Sequence, residues 1–380
     1  MPEAYIVGAV RTPIGTRKGA LANVHPADLA ALVLRELIAR TKIDPVAVDD
    51  VIMGCVNAMG AQAGCIARTA WLSGGLPESV PAVTIDRQCG SSQQALHFAA
   101  QAVMSGTQDL VVAAGVEHMA FVPIDVNRIV IESLGHGKYG AGWASWYGDQ
   151  EISQFRGAQL IAQNWNLSRD DLERFALESH RRAVSAIDGG LFSEQTVPIG
   201  AARLDEGPRR DTSLEKMAAL EPLRPRWQIT AAVASQLSVG AAALLIASEA
   251  AVQAHGLTPL ARVHALAVVG SDPVQMLTGP IPATAAVLKR AGLSIGDIDT
   301  FEINEAFAPV VLAWARDTGA PLERTNVNGG AIALGHPLGA TGAILATKAI
   351  YELRRTGGRY GLVAMCEGGG QANATVLERA

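Results

Sequence analysis

The chain is short of several things that would each point to a different kind of protein. Aromatic residues make up only 5% of its 380 positions, there are four cysteines, and only six of its 31 basic residues are lysine. No stretch reaches the roughly 18 uncharged apolar residues that would read as a membrane-spanning helix. No Lys/Arg cluster is present and the formal net charge is −5, which excludes the basic footprint of a nucleic-acid binder. Cys55, Cys65, Cys89 and Cys366 form no CxxC pair and no metal-type spacing with histidine. Free thiols, no metal, no nucleic-acid partner and no membrane partner are the expectation. The opening MPEAYIVGAVRTP has neither the basic nor the apolar region of a secretory signal, so a cytoplasmic location is expected.

What is present is a well-packed composition, with 49% hydrophobic residues, 18% charged residues and 39 glycines. The length suits two or three units sharing an extensive core. Segments of similar order recur about 250 residues apart. KIDPVAVDDVIMG (42–54) matches GLSIGDIDTFEIN (292–304), each following an amphipathic helical stretch. VTIDRQCGSSQQALHFAAQAVMSG (83–106) matches NVNGGAIALGHPLGATGAILATKAI (326–350), and LVVAAGVEHM (110–119) matches YGLVAMCEGGG (360–370). Each half alternates strands with helices, which predicts an α/β fold of parallel sheets in two layers with helices between them. Residues 120–219 have no counterpart and carry Trp, Tyr, Arg and Asp, with Ser168 as a helix cap candidate. The expected division is 1–119 as an N-terminal core half and 120–219 as an inserted loop or lid domain. Residues 220–252 then return to the first half, and 253–380 form the C-terminal core half.

Cys89 falls between an apolar strand and an Ala-rich helix, where the positive end of the helix dipole favours thiolate. A small buried hydrophobe is the alternative reading. His336 lies in NGGAIALGHPLGATG, a loop with neither the GK[ST] of a phosphate loop nor the GxGxxG of a dinucleotide fold. A neutral imidazole there suits a base that takes a thiol proton. Cys366, in AMCEGGGQANAT, stands near the repeat equivalent of Gly115, so one half has a thiol where the other has none. The three glycines after it offer N–H groups to a developing oxyanion. Asn304, in NEAFA, is placed to hold water or donate to an oxygen, while Glu305 and Phe307 read as supporting or packing residues.

VRTPIG, DRQCGSSQQA, NEAFAPVV, NVNGGAIALGHPLGATG and MCEGGG together resemble the thiolase family over essentially the whole chain. GDQEISQFRGAQLIA, GPIPATAAVL and CEGGGQANATVLER are similar to thiolases of actinobacterial sterol degradation. The resemblance implies a duplicated α-β-α-β-α five-layered core with a loop domain, assembled as a homodimer or homotetramer. It implies Cys89 as acyl-carrying nucleophile, His336 as its base and Cys366 as the acid/base for the enolate and the incoming CoA. Asn304 and His336 would stabilise the enolate oxygen through a water, and the backbone N–H groups of Cys89 and Gly368 would form an oxyanion hole. Ser235 and Phe307 would contact substrate or CoA, the latter a co-substrate rather than a permanent cofactor.

Two departures stand out. Ala232, Val233 and Val239 replace a glycine, an asparagine and an aspartate common in the family's CoA segment. Arg156 and Gly157 stand where short-chain members carry a methionine over the acyl pocket. The implied reaction is thiolytic cleavage of a medium or bulky 3-ketoacyl-CoA, in fatty acid or sterol breakdown. Biosynthetic acetoacetyl-CoA formation, a ketosynthase-like condensation or a catalytically silent binding protein are the alternatives. Ketosynthases lack the second cysteine, and a silent relative should have lost Cys89, His336 or Cys366.

Overall fold

A computed structural model describes residues 2–380. Its strands are β1 (Ala4–Arg11), β2 (Gly15–Thr16), β3 (Asp50–Gly54), β4 (Ala82–Ile85), β5 (Leu110–His118), β6 (Ser238–Ser248), β7 (Ala261–Gly270), β8 (Thr300–Ile303), β9 (Tyr360–Glu367) and β10 (Gln371–Arg379). They run in the order β4-β3-β5-β6-β1-β7-β10-β9-β8, with β2 alongside β6. The halves meet where Tyr5 and Ile6 of β1 pair with Arg262 and Ala261 of β7.

The duplication is visible in the register. Asp50 of β3 pairs with Val111 of β5, and Thr300 of β8 pairs with Gly361 of β9, a constant displacement of 250 residues. Asp49 accepts the N–H groups of Asp109 and Leu110, and Asp299 accepts those of Arg359 and Tyr360 in the same way. Cys366 therefore answers to Val116, one residue beyond the Gly115 expected from sequence.

Five layers follow from side-chain alternation along strands that are covered on both faces. Val111 and Ala113 of β5 and Val363 of β9 face the helices Ser91–Ser105 and Thr341–Thr356, which lie between the halves. Val112, Ala114 and Val116 pack outward against helices Pro26–Thr41 and Ile66–Ser73. Leu362 and Ala364 pack outward on the other side against Pro280–Ala291 and Ala308–Thr318. Glycines in left-handed geometry end both central helices, Gly106 at φ 75° and Gly357 at φ 76°. Replacing Leu96 or Ile344 in this shared core by Ala would cost about 2–5 kcal/mol.

The sheet is mixed rather than parallel. Only β3–β4, β3–β5 and β8–β9 run parallel, and the long inner pairings are antiparallel. The reason is local: β9 and β10 are joined by Gly368, Gly369 and Gly370, a connection too short for a parallel crossover. Gly369 and Gly370 adopt φ values of 86° and 75°, which only glycine takes readily.

Between the end of β5 at His118 and the start of β6 at Ser238 runs one long connection. It carries helices Val126–Ser133, Ala141–Tyr147, Gln154–Asn164, Arg169–Asp188 and Leu214–Ala218. Ser168 caps the longest of these in a reciprocal arrangement with Asp171. Ala158, Ile161, Leu172, Ala176, Ile229 and Val233 of the connection form a core with Phe307, Ile332 and Cys366 of the second half.

Candidate active site

Cys89 sits at the tip of a tight turn between β4 and helix Ser91–Ser105. Gln88 holds a left-handed φ of 48° and donates its backbone N–H to Asp86 Oδ1 at 2.6 Å. Ser91 ties the turn, accepting from the Arg87 N–H (3.0 Å) and donating to the Gln88 carbonyl (2.6 Å). A non-glycine residue in that region is strained, and the hydrogen bonds on both sides hold it there. The part-buried thiol is pushed up to about 12, by burial first and then by the charge of Glu367; the backbone N–H groups of Cys89 and Gly368 work the other way. The helix N-terminus thus does not by itself yield a standing thiolate, contrary to the expectation from sequence, because burial outweighs the dipole. Those two N–H groups are the ones read from sequence as an oxyanion hole, and both act on the Cys89 sulfur.

His336 is held from three directions. Its backbone N–H is within reach of the Gln236 carbonyl and of Ser238 Oγ, both at 3.1 Å. Gly335 before it has φ 111°, and a Cβ there would run into the Ser238 side chain. The ring Nδ1 lies 2.6 Å from Thr341 Oγ1, whose own hydroxyl donates to the Pro337 carbonyl at 2.9 Å. Thr341 is therefore the acceptor, the ring proton is on Nδ1, and Nε2 keeps its lone pair. Burial lowers the ring to about 4, so it is neutral near pH 7 and its free Nε2 is a base.

Asn304 directly follows β8 and donates from Nδ2 to that Nε2 at 3.3 Å. Its Oδ1 is buried with no partner among the described residues. Behind it Glu305 accepts from Ser179 Oγ (2.6 Å), Asn326 Nδ2 (2.9 Å) and the Ile332 N–H (3.1 Å), bracing the NEAFA turn against the glycine loop. Cys366 is fully buried, and burial, followed by the nearby Cys89 charge, raises its thiol well above the usual range.

Phe307 packs in the same cluster as Cys366 and meets Phe155 edge-on, with ring centroids 5.6 Å apart. Ser235 follows Ala234, which bridges to Phe307, and its N–H donates to the Ala306 carbonyl at 3.0 Å. Beside them opens a cleft lined by His180, Arg209, Lys216, Met217, Ala232 and Gln236. Gln236 connects the cleft to the His336 loop, donating to the carbonyls of Gly207, Ile332 and Ala333. Cys89, Cys366 and Gly368 thus converge, as do Asn304 and His336, with Ser235 and Phe307 toward the cleft. Among the described residues no cluster of His, Cys, Asp and Glu could hold a metal ion.

Sequence reading missed Thr341, Ser238 and Gln236, which place His336, and Glu117 and Glu367, two buried carboxyls flanking the centre. Glu117 and Glu367 sit 250 residues apart in matched strands, and that spacing was the available signal. Ser238 and Gln236 reach His336 only through folding and leave no local pattern.

A chemical reading of the centre has two thiols, a neutral imidazole whose unprotonated Nε2 meets the Asn304 amide, an amide oxygen left open, and backbone donors aimed at sulfur. That set suits acyl transfer through a thioester. Residues 4–250 match the model of the thiolase N-terminal domain and residues 257–379 that of the thiolase C-terminal domain. The chain is 58% identical to steroid 3-ketoacyl-CoA thiolase FadA6 of Mycobacterium tuberculosis, over all of this chain and 95% of that protein. It is 43% identical to the 3-oxoadipyl-CoA/3-oxo-5,6-dehydrosuberyl-CoA thiolase of Escherichia coli, over the full length of both. Among solved structures, human mitochondrial 3-ketoacyl-CoA thiolase in complex with CoA superposes with a TM-score of 0.90 at 34% identity, covering 100% of this chain and 98% of that one.

Proposed function

This chain belongs to the thiolase family, and we propose that it cleaves a bulky 3-ketoacyl-CoA with CoA, through an acyl-cysteine on Cys89, in a degradative route. The observation that carries the mechanism is the His336 ring, whose proton is fixed on Nδ1 by Thr341 so that Nε2 is free to accept.

In the first half-reaction the Cys89 proton moves to His336 Nε2 and the sulfur attacks the 3-keto carbon. The backbone N–H groups of Cys89 and Gly368 receive the developing oxyanion, a contribution of about 3 kcal/mol for each well-placed donor. The C2–C3 bond then breaks and its electrons pass into a thioester enolate. Cys366, protonated because its thiol is raised so far, delivers the proton that turns the enolate into acetyl-CoA or propionyl-CoA. The Asn304 amide, with its open Oδ1, holds a water that faces the enolate oxygen together with His336. In the second half-reaction Cys366 takes the proton of CoA, whose sulfur attacks the acyl-cysteine; the shortened acyl-CoA is released and the departing Cys89 thiolate recovers its proton from His336 Nε2.

The cleft beside Ser235 suits CoA, with Ala232 on its wall and Arg209 and Lys216 available to its phosphates. The connection 120–219 supplies much of that cleft and serves as the loop domain over it, with 1–119 and 253–380 as core halves and 220–252 leading back. Assembly as a homodimer or homotetramer is supported by the edge strand β4, with Val83 43% exposed, and by Phe98, 41% exposed on the helix that follows. No helix among the described residues is long and apolar enough to cross a membrane, and the proposed location is the cytoplasm.

Steady-state thiolysis of a panel of 3-ketoacyl-CoAs tests the substrate class. The expected outcome is higher kcat/KM for bulky or ring-bearing acyl groups than for acetoacetyl-CoA. A strong preference for acetoacetyl-CoA would point to the biosynthetic reading instead.

A further inference from the structure

Glu367 stands between two proposed site groups, Cys366 and Gly368, yet the mechanism does not use it. Alternation along β9 turns it away from Cys366, toward the central helices. It is fully buried, and neither carboxylate oxygen makes a hydrogen bond of good geometry, the Asn373 backbone N–H being the one donor close enough to favour its ionisation. Its carboxyl group lies against Gly90, so closely that a Cβ there would fall inside it. Gly90 is the first residue after Cys89 and opens helix Ser91–Ser105.

The duplication supplies a control for this position. Glu117 is the same residue in the first half, and it too reaches the start of the opposite half's central helix. There it accepts from the backbone N–H groups of Gly339 (3.0 Å), Val56 (2.9 Å) and Asn57 (3.3 Å) and from Gln62 Nε2 (2.9 Å). The residue answering to Gly339 in the first half is Cys89. The N–H that would anchor Glu367 by symmetry instead acts on the Cys89 sulfur. Glu117 is thus a satisfied structural carboxylate, and Glu367 is its unsatisfied counterpart beside the nucleophile.

Other charged groups around Glu367 are few. The turn before Cys89 brings the Arg87 guanidinium, which favours ionisation, and the Asp86 carboxylate, which opposes it. Arg87 spends one Nη on Gln371 Oε1 at 2.8 Å. Strand β10 contributes the neutral Gln371 and Asn373, and helix Ser91–Ser105 the His97 ring, kept neutral by burial. The thiols of Cys89 and Cys366 complete the set, and both are disfavoured as anions by a charged Glu367.

We infer that Glu367 is a positioning residue that shares a single negative charge with Cys89, so that acylation proceeds only while the Glu367 carboxyl keeps its proton. Resting on the reading of Cys89 as nucleophile, the arrangement has a definite proton order. The Cys89 proton leaves for His336 Nε2, Glu367 stays neutral, and the helix start serves one anion, the thiolate. When Glu367 ionises, it occupies that positive end and the thiol retains its proton. Burial pushes the Glu367 carboxyl up to about 8, so the switch falls within an accessible range.

The test is the pH dependence of Cys89 alkylation by iodoacetamide, mapped by peptide mass spectrometry, in the full-length protein and in Glu367→Gln, Glu367→Met and Glu367→Asp. Below about pH 8 the Gln and Met variants should match the wild type; above it they should alkylate about tenfold faster, while Asp follows the wild type. Coincident profiles at all pH values would overturn the inference, as would a shift in Gln that Met does not share. Acyl-adduct formation on Cys89 with a 3-ketoacyl-CoA is measured on the same samples. An adduct with coincident alkylation profiles removes the role of Glu367 and leaves the nucleophile standing. Divergent profiles without an adduct keep the charge coupling and remove the nucleophile.

Discussion

The two halves of this molecule share a strand register, and the matched positions nearest the centre carry different groups. Where the first half has Gly54, Val116 and a well-bonded Glu117, the second has Asn304, Cys366 and an unpartnered Glu367. Where the second half has Gly339, the first has Cys89. A duplicated scaffold would give two equivalent sites if both copies kept the same residues. Here each half contributes what the other lacks: the first supplies the nucleophile, the second the base, the second thiol and the amide. The positions without chemistry went to close packing, since a Cβ on Gly54 or Gly115 would run into the Ser91–Ser92 or Gly339–Ala340 backbone.

The sharpest way to break the comparison is to remove the group unique to each half. Cys89→Ala should abolish the acyl-enzyme and lower turnover by about four orders of magnitude or more, read by intact mass and thiolysis rate. Cys366→Ala should still acylate but turn over about 10²–10⁴-fold more slowly, because the enolate then loses its positioned acid. Normal turnover in either would erase the asymmetry between the halves.

A smaller effect separates the paired glutamates. Glu117→Gln leaves some of the N–H groups on that carboxylate without a partner and should cost about 1–3 kcal/mol of stability in chemical denaturation. Glu367→Gln removes at most a contact with the Asn373 backbone N–H. The Glu367 carboxyl is raised by burial from 4.5 to about 8, so its stabilisation is full below pH 4.5 and lost as pH rises through 8. The variant should therefore gain on the wild type as pH increases; burial raises the Glu117 carboxyl as well, so it is the lost hydrogen bonds that set Glu117→Gln apart. Equal losses in both would mean that the two glutamates play the same part.

The mildest prediction concerns acid. His336 and His180 are lowered to about 4 and His97 to about 3, each by burial first. A depressed imidazole contributes stability above its unfolded value of 6.5 that is lost as pH falls through the folded one. The melting temperature should decline steadily as pH drops from 6.5 toward 4. His97→Gln should flatten that decline without altering acylation; an unchanged slope would place the acid sensitivity elsewhere.

Much of this was legible in the chain. The repeat of strand, small-residue turn and Ala-rich helix gave the doubled core; Cys89 stood out at a strand–helix turn, His336 in a glycine-rich loop, Asn304 in NEAFA, and Cys366 as a thiol without a counterpart in the other half. The parallel sheet did not survive, because strand–helix alternation says nothing of the long antiparallel inner strands, and the glycine turn after Cys366 was not read as a hairpin into a further strand. The thiolate at Cys89 did not survive either: a helix N-terminus is local and visible in sequence, whereas burial and the Glu367 charge come from β9, nearly 280 residues away. Thr341 escaped notice although it is five residues from His336, since a hydroxyl's role as acceptor depends on where the Pro337 carbonyl points.

The most direct test of the central claim is intact-protein mass spectrometry after mixing the enzyme with a bulky 3-ketoacyl-CoA in the absence of free CoA. The expected result is a mass gain equal to the shortened acyl group, mapped to Cys89 and discharged when CoA is added. A folded protein that binds CoA yet gains no mass, or gains it on another residue, would contradict it.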